Sequence, residues 1–529
     1  MLSVLHDWSA SLQDAGLSTS VQIALGMGLL LLLGALQSST PAAKSPSGQP
    51  YKQAMVIDST LPWLGNTLDL VKNGMRFHDW ITEVCQAANG RPWLMTTVGR
   101  PSVIVVSTPE AYEDVTKTQF GNFIKGEYVR DVLKDVFGLG IFSMDGAQWA
   151  YHRKLTSNVF TKRSMRDSMT ATIQKHCHSL CSAFQRAADE QRELDLFGVL
   201  SQFTTEAFCE IAFGIDMDYL NSDHEHPLQQ ALDGAQRAIT FRLFSPTWLW
   251  KLQRRFSLGL EGHLQQCLKT LDAIVLEIIN KSIAHHAQRD SADKPAKTDL
   301  ISLFLSHAND VDAEDKEIFT PDALKYMAMQ FLLAGRETTA QTLSWFFWVL
   351  HQHPEVEAKI HEEIKTLAPE LFKPTKDMSP SMATVQQFTY LEAALKETLR
   401  LYPVAPFNAR DAAEDTTLSD GTFVPAGTAW GYQTMPSDVS PPFGDFNPSR
   451  WIDPGTSKLA VVSAYKFVAF HAGPRICLGM NLAMFEMKIA VAQIFSRFHV
   501  NVLPDQNITY ATSITLPMNA PLKVHIVPV

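Results

Sequence analysis

The chain has 529 residues, 46% of them hydrophobic and 10% aromatic, with a net charge of −10. That is apolar material for one large core or two ordinary ones, and the acidic balance, with no RNA- or DNA-binding signature, excludes a general nucleic-acid binder. The six cysteines (Cys85, Cys177, Cys181, Cys209, Cys267 and Cys477) are too scattered for a disulfide framework, so reduced thiols in a cytosol-facing domain are expected.

Residues 1–18 form a lead that carries Asp7 and Asp14 and no Lys or Arg. Residues 19–38 follow as a membrane anchor: Val21 to Leu36 is nearly all apolar, and with its flanks it reaches the ~20 residues of a bilayer span. A secretory signal would want a basic N-region, which is missing. Lys44 and Lys52 lie after the stretch, so the positive-inside rule puts the bulk of the chain in the cytosol. Residues 39–61 are expected to be a hinge or linker, because 37–50 are rich in Ser, Pro, Ala and Gly. The remainder, 62–529, reads as one large domain, mainly α with a minor β part. β-rich runs occur at 92–99 and 101–107, long helices fill about 145–405 between polar loops at 220–227 and 287–298, and strand-like runs accompany a last helix after Cys477.

"WAYHR" places Trp149 and Arg153 four apart on one helical face, suited to gripping an anion. In "TPDALKYMAMQFLLAGRETTAQTLSWFFWVL", Thr320 is the expected N-cap and Pro321 the first helical residue. Ala334 and Gly335 leave the backbone uncovered at mid-helix, and Thr338 can return its hydroxyl to a backbone carbonyl beside Glu337. A solvated patch on an amphipathic helix is the competing reading. Glu397 and Arg400, three apart, can pair, and Arg450 of "FNPSRW" can join them. In "FHAGPRICLG", a Gly473–Pro474 turn precedes Cys477, and a helix is expected from Leu478 onward. A helix N-terminus favours a thiolate, either nucleophile or metal ligand.

Three patterns carry no chemistry. In "KHCHSLC" only Cys177 and Cys181 share a helical face, so no tetrahedral zinc site is expected. "DVDAE" from Asp310 lacks the glycine and the glutamate of a calcium loop. The Asn507-Ile-Thr509 acceptor pattern would not meet its transferase in a cytosolic domain.

From about Pro62 onward these segments resemble the cytochrome P-450 superfamily, the haem-thiolate monooxygenases, and they occur in that family's order. The resemblance implies non-covalent haem b with Cys477 as proximal ligand of the iron, within a signature that includes Phe470, Gly473, Arg475 and Gly479. It implies that Arg475, Arg153, Trp149 and Arg410 hold the propionates, that Glu397, Arg400 and Arg450 form a structural network, and that Thr338 and Glu337 relay protons during dioxygen activation. No nucleotide-binding loop stands in a strand–helix context, so an NADPH-dependent flavoprotein reductase, with cytochrome b5 as a second donor, is implied. "AGRETTAQTLSWFF" and "LGIFSMDGAQWAYHRKL" look most like plant and yeast fatty-acid and alkane terminal hydroxylases. Ala334 stands where animal ω-hydroxylases often carry a haem-esterifying glutamate. By position the pocket includes Phe142, Phe331, Ala334, Val404, Phe407 and Ile514, apolar residues that suit acyl chains and equally sterols, terpenoids or xenobiotics. The location implied is the endoplasmic reticulum membrane, single-pass, with the catalytic domain facing the cytosol. A haem-containing sensor that never turns over is the reading from another class; intact Cys477 and Thr338 count against it.

Overall fold

A computed structural model describes residues 51–138, 140–221, 226–290, 299–310, 320–373, 378–433 and 445–529. The expected anchor at 19–38 and the acidic loop after Asp310 lie outside the described residues. Among the described residues, no helix is long and apolar enough to cross a membrane.

The fold is mainly helical. The helices that frame the site are α1 (Gly146–Ser157), α2 (Thr170–Asp189), α3 (Leu196–Phe213), α4 (Pro227–Phe244), α5 (Pro321–Gln352), α6 (Pro354–Leu367), α7 (Thr389–Leu401) and α8 (Met480–Phe495). α5 starts where the sequence says: the Thr320 hydroxyl accepts the Ala323 N–H at 3.1 Å, and Pro321 supplies the first turn. It is buried on most of its circumference, as suits a helix apolar all round, and it packs along α3. Gly335 marks their closest approach, because a Cβ there would stand 2.2 Å from the Phe208 ring. The sequence suggested bare backbone at this point; the missing side chain instead admits an aromatic ring from α3. α8 is likewise enclosed, from Leu482 to Phe495.

The β part is small. Strands β1 (Trp93–Met95), β2 (Val103–Val106) and β3 (Phe123–Ile124) join β5 (Phe407–Ala412) and β8 (Ala429–Gln433) in one sheet, ordered β1-β2-β8-β5-β3. β2 and β8 run parallel, with Val103 opposite Ala429; the other pairs are antiparallel. Strands β4 (Leu194–Asp195), β9 (Phe498–Val502) and β10 (Lys523–Pro528) form a second sheet with β9 at one edge, and β6 (Thr416–Thr417) with β7 (Phe423–Val424) makes a short ribbon. The main core fills the space among the helices, and two smaller apolar clusters underlie the first sheet. This arrangement brings β5, the start of α1 and the loop before α8 together.

Candidate active site

The loop before α8 is fixed by backbone geometry. Gly473 has φ +65°, and a Cβ there would stand 2.0 Å from the Thr116 carbonyl oxygen, so only glycine fits. The Cys477 N–H donates to the Phe470 carbonyl at 2.8 Å, closing the loop on itself. The helix begins at Met480, two residues later than the sequence suggested, with Gly479 at the N-cap position. Cys477 therefore precedes the helix, and the N–H groups of Gly479 and Met480 point at its sulfur.

Five of the six cysteines are buried and Cys477 is exposed. Yet burial pushes the Cys477 thiol up, against the pull of the Gly479 N–H, the Arg153 charge and the Met480 N–H. A side chain both accessible and desolvated lines an interior void. The helix terminus alone does not make it a thiolate, contrary to the sequence expectation; a cation at the sulfur would. On α5, Ala334 is exposed although Phe331, Leu332, Arg336 and Glu337 around it are buried, so a void also opens at mid-helix. Thr338, one turn on, is half-buried and donates its hydroxyl to the Ala334 carbonyl at 2.8 Å.

The cations predicted to grip an anion converge. The Arg475 guanidinium lies 4.4 Å over the Trp149 ring and donates to the Met144 carbonyl at 2.7 Å and to Asp145 at 2.6 Å, while its Nε is buried without a partner. Arg153 donates to the Ile476 carbonyl, beside the cysteine. Arg410, on β5, is buried with Nη2 3.3 Å from His471 Nε2. Lys125 joins them, buried, with its ammonium 4.3 Å over the Phe142 ring. Burial first, then mutual repulsion, lowers the pKa of Arg475 to about 10 and pulls Lys125 well below its ordinary value. Burial likewise lowers Arg410 and Arg153. Asp145 is the carboxylate that offsets this group. An excess of buried positive charge with an unpartnered guanidinium nitrogen calls for an anionic ligand. The two propionates of a haem fit it, and Cys477 fits its iron.

The Glu397 network is dense. Arg400 donates to both carboxylate oxygens at 2.8 Å, Arg450 Nε at 2.8 Å, Trp451 Nε1 at 2.8 Å and the Asn447 N–H at 3.0 Å. Burial pushes the carboxyl up, but the Arg400 hydrogen bonds and charge outweigh it and hold Glu397 below its ordinary value.

Other residues are placed less as expected. Glu337 turns from Thr338 toward Gln341, whose Nε2 donates at 2.6 Å, and toward the Thr515 hydroxyl at 3.4 Å; burial raises its pKa. Phe331 is locked between Phe160 and Phe208 in an aromatic stack, and Val404 is buried, so both belong to the core. Phe142 is 51% exposed, and Phe407 and Ile514 are half-buried. Lys125, His471, Gln341 and Thr515 escaped the sequence reading, because nothing local marks them. Asp145 escaped it too: it stands at the N-cap position of α1, but its carboxylate accepts the Lys125 N–H at 2.9 Å and Arg475 instead of capping. A cavity of about 640 Å³ beside Tyr219, His226 and Lys269 lies away from these residues and touches none of them.

Residues 57–521 match the family model for cytochrome P450, and the chain belongs to that family. It is similar to cytochrome P450 94B3 of Arabidopsis thaliana (31% identity, covering 88% of this chain and 90% of that one) and to cytochrome P450 86B1 of the same plant (30%, 88% and 85%). The crystal structure of the cytochrome P450DA heme domain superimposes with a TM-score of 0.73 over 91% of this chain and 98% of that one, at 19% identity, which shows the shared fold. The protein is accordingly a haem-b, cysteine-thiolate monooxygenase of the P450 class, which takes electrons from a redox partner and acts on a lipophilic substrate.

Proposed function

We propose that this enzyme hydroxylates the far end of a fatty acid or related aliphatic chain, with Cys477 as the iron ligand. The observation that carries the substrate class is Arg100, in the β1–β2 turn. Its Nε and Nη1 are buried with no hydrogen-bond partner among the described residues, and its guanidinium stands 6.0 Å from the Phe244 ring. Phe244 packs edge-on to Phe77 at 4.9 Å, and Phe77 to Phe407 at 6.0 Å. An unpaired cation at the end of an apolar aromatic row suits an amphiphile with one carboxylate, and a sterol or terpene offers no such group. The resemblance of the α5 segment to fatty-acid hydroxylases supports the same reading.

Haem, when bound, supplies the activation of dioxygen. The chain's part is positional. Arg475, Arg410, Arg153 and Lys125 hold propionates, and Trp149 buttresses Arg475. Burial raises the Glu337 pKa above its ordinary value and Gln341 and Thr515 orient its carboxyl for proton delivery, while the Thr338 hydroxyl passes a proton onward. Membrane attachment is part of the proposal: Trp63, Met75, Phe256 and Leu258 expose 57–70% of their surface, and the apolar stretch 21–36 precedes them. An endoplasmic-reticulum location with the catalytic part facing the cytosol, and a separate NADPH-dependent flavoprotein reductase, complete it.

The test is turnover with reductase on long-chain acids, their methyl esters, sterols and terpenes, with products identified. Terminal hydroxylation of the acids, with a preference over esters that Arg100→Met removes, is expected. Oxidation of sterols or terpenes with no turnover of acids overturns the proposal.

A further inference from the structure

Helix α6 and strand β9 bring three metal-ligating side chains to one spot on the protein that the oxygenation chemistry does not use. Glu357 and His361 stand four apart on one face of α6, and His499 projects from β9, the edge strand of its sheet. One ligand atom from each lies within 4.8 Å of the other two. Glu357 Oε1 and His361 Nε2 are 3.7 Å apart, too far for a hydrogen bond.

His361 is held in place. Its ring stacks on Phe495 of α8, centroids 4.3 Å apart and planes within 4°. That contact fixes the ring orientation and leaves Nε2 buried with no hydrogen-bond partner among the described residues. The His499 ring stands 6.0 Å from it and is exposed. Glu357 pairs with no lysine or arginine among the described residues. A second cluster with the same donor types shows the difference. His176, Glu210 and Asp216 also converge, but the Lys175 ammonium lies 2.6 Å from both carboxylates, and His176 is hydrogen-bonded to Glu206 and Glu210. That cluster holds its own cation. The α6–β9 cluster does not.

We propose that Glu357, His361 and His499 form a zinc site, with water in the fourth position. Two imidazoles and one carboxylate are borderline-soft donors that suit Zn²⁺ and select against Ca²⁺ and Mg²⁺, which want oxygen alone. The i,i+4 spacing on α6 presents two ligands to one ion, and with His361 fixed, rotations of the Glu357 and His499 side chains would bring the three donors to bonding distance. The ion ties the free edge strand to α6 and so braces this side of the fold. At 100 times its dissociation constant it raises the folded-to-unfolded ratio about 100-fold.

The experiment uses the full-length, haem-loaded protein, freed of adventitious metal with chelator and titrated with zinc chloride by calorimetry. One saturable site per chain is expected, with a rise in Tm on binding. His499→Ala, an exposed position whose loss leaves folding and turnover intact, should weaken binding at least about tenfold, and Glu357→Gln likewise. Glu210→Gln, in the lysine-filled cluster, should leave it unchanged. X-ray absorption of the bound zinc should show two imidazole nitrogens at about 2.0–2.1 Å. Zinc affinity that is the same in His499→Ala, or no saturable binding below the order of 1 mM, overturns the site.

Discussion

The Asp145 carboxylate lies 2.6 Å from the Arg475 guanidinium and also accepts the Lys125 backbone N–H at 2.9 Å, so one acid anchors two of the four cations gathered around it. If the residual positive charge holds an anionic cofactor as proposed, it makes opposite predictions for the empty and filled protein. Lys125→Met removes a buried, partly uncompensated charge. The haem-free variant should melt higher than the parent, while haem transfer to an acceptor protein should speed up by about tenfold, the equivalent of one hydrogen bond to a charged group. A variant with unchanged haem loss would remove Lys125 from the cradle.

The Glu397 carboxylate should be far less replaceable than an ordinary helix ion pair. It is fully buried and serves Arg400, Arg450, Trp451 and Asn447 at once. Glu397→Ala strands those donors and should cost about 3–5 kcal/mol. Urea denaturation of the haem-loaded protein measures it; a loss under 1 kcal/mol, the range of exposed pairs, would show that the network is dispensable.

Cys477 has no understudy. The other five cysteines are buried, and burial raises their thiol pKa. Cys477→Ser should therefore abolish the thiolate-type absorbance of the reduced carbon monoxide complex while circular dichroism stays helical. Retention of that spectrum would send the ligand assignment elsewhere.

Glu486 sits in α8 with Oε1 unpartnered, and burial pushes its carboxyl up to about 8. The folded state thus keeps a proton that the unfolded chain releases near its ordinary value of 4.5. This contribution is complete below pH 4.5 and is lost as pH rises through about 8, with a slope of about 1.4 kcal/mol per pH unit. Tm measured from pH 5 to 8 should fall in the parent and fall less in Glu486→Gln. Parallel curves would mean that the carboxyl is ionised and paired.

We propose that the basic run 152–166, whose Arg153 donates to the Ile476 carbonyl beside Cys477, faces the electron donor. Lys154 and Lys162 are exposed, whereas Arg163 and Arg166 are both paired with Asp167, a partner just past the run. Reversal of Lys154 and Lys162 to glutamate should raise the apparent KM for an acidic reductase severalfold and flatten its salt dependence, with the haem spectrum unchanged. Turnover indifferent to both the reversal and ionic strength would place docking on another face.

What the sequence determined by itself was local. The cap at Thr320, the turn at Gly473, the Glu397–Arg400 spacing and the Thr338 hydroxyl's return to Ala334 each follow from a few adjacent residues, and the order of these motifs named the family. Their partners came from elsewhere in the chain. Lys125 reaches the cradle because β3 pairs with β5, a contact spanning nearly three hundred positions. Glu337 turns to Thr515 because the C-terminal loop folds over α5. Phe331 is core because Phe160 and Phe208 close on it. Even the state of Cys477 was decided by packing: a helix N-terminus argues for a thiolate, but enclosure raises its pKa until a cation arrives. Backbone preference acts over a few residues and can be read along the chain. Burial and electrostatics depend on what the fold brings alongside.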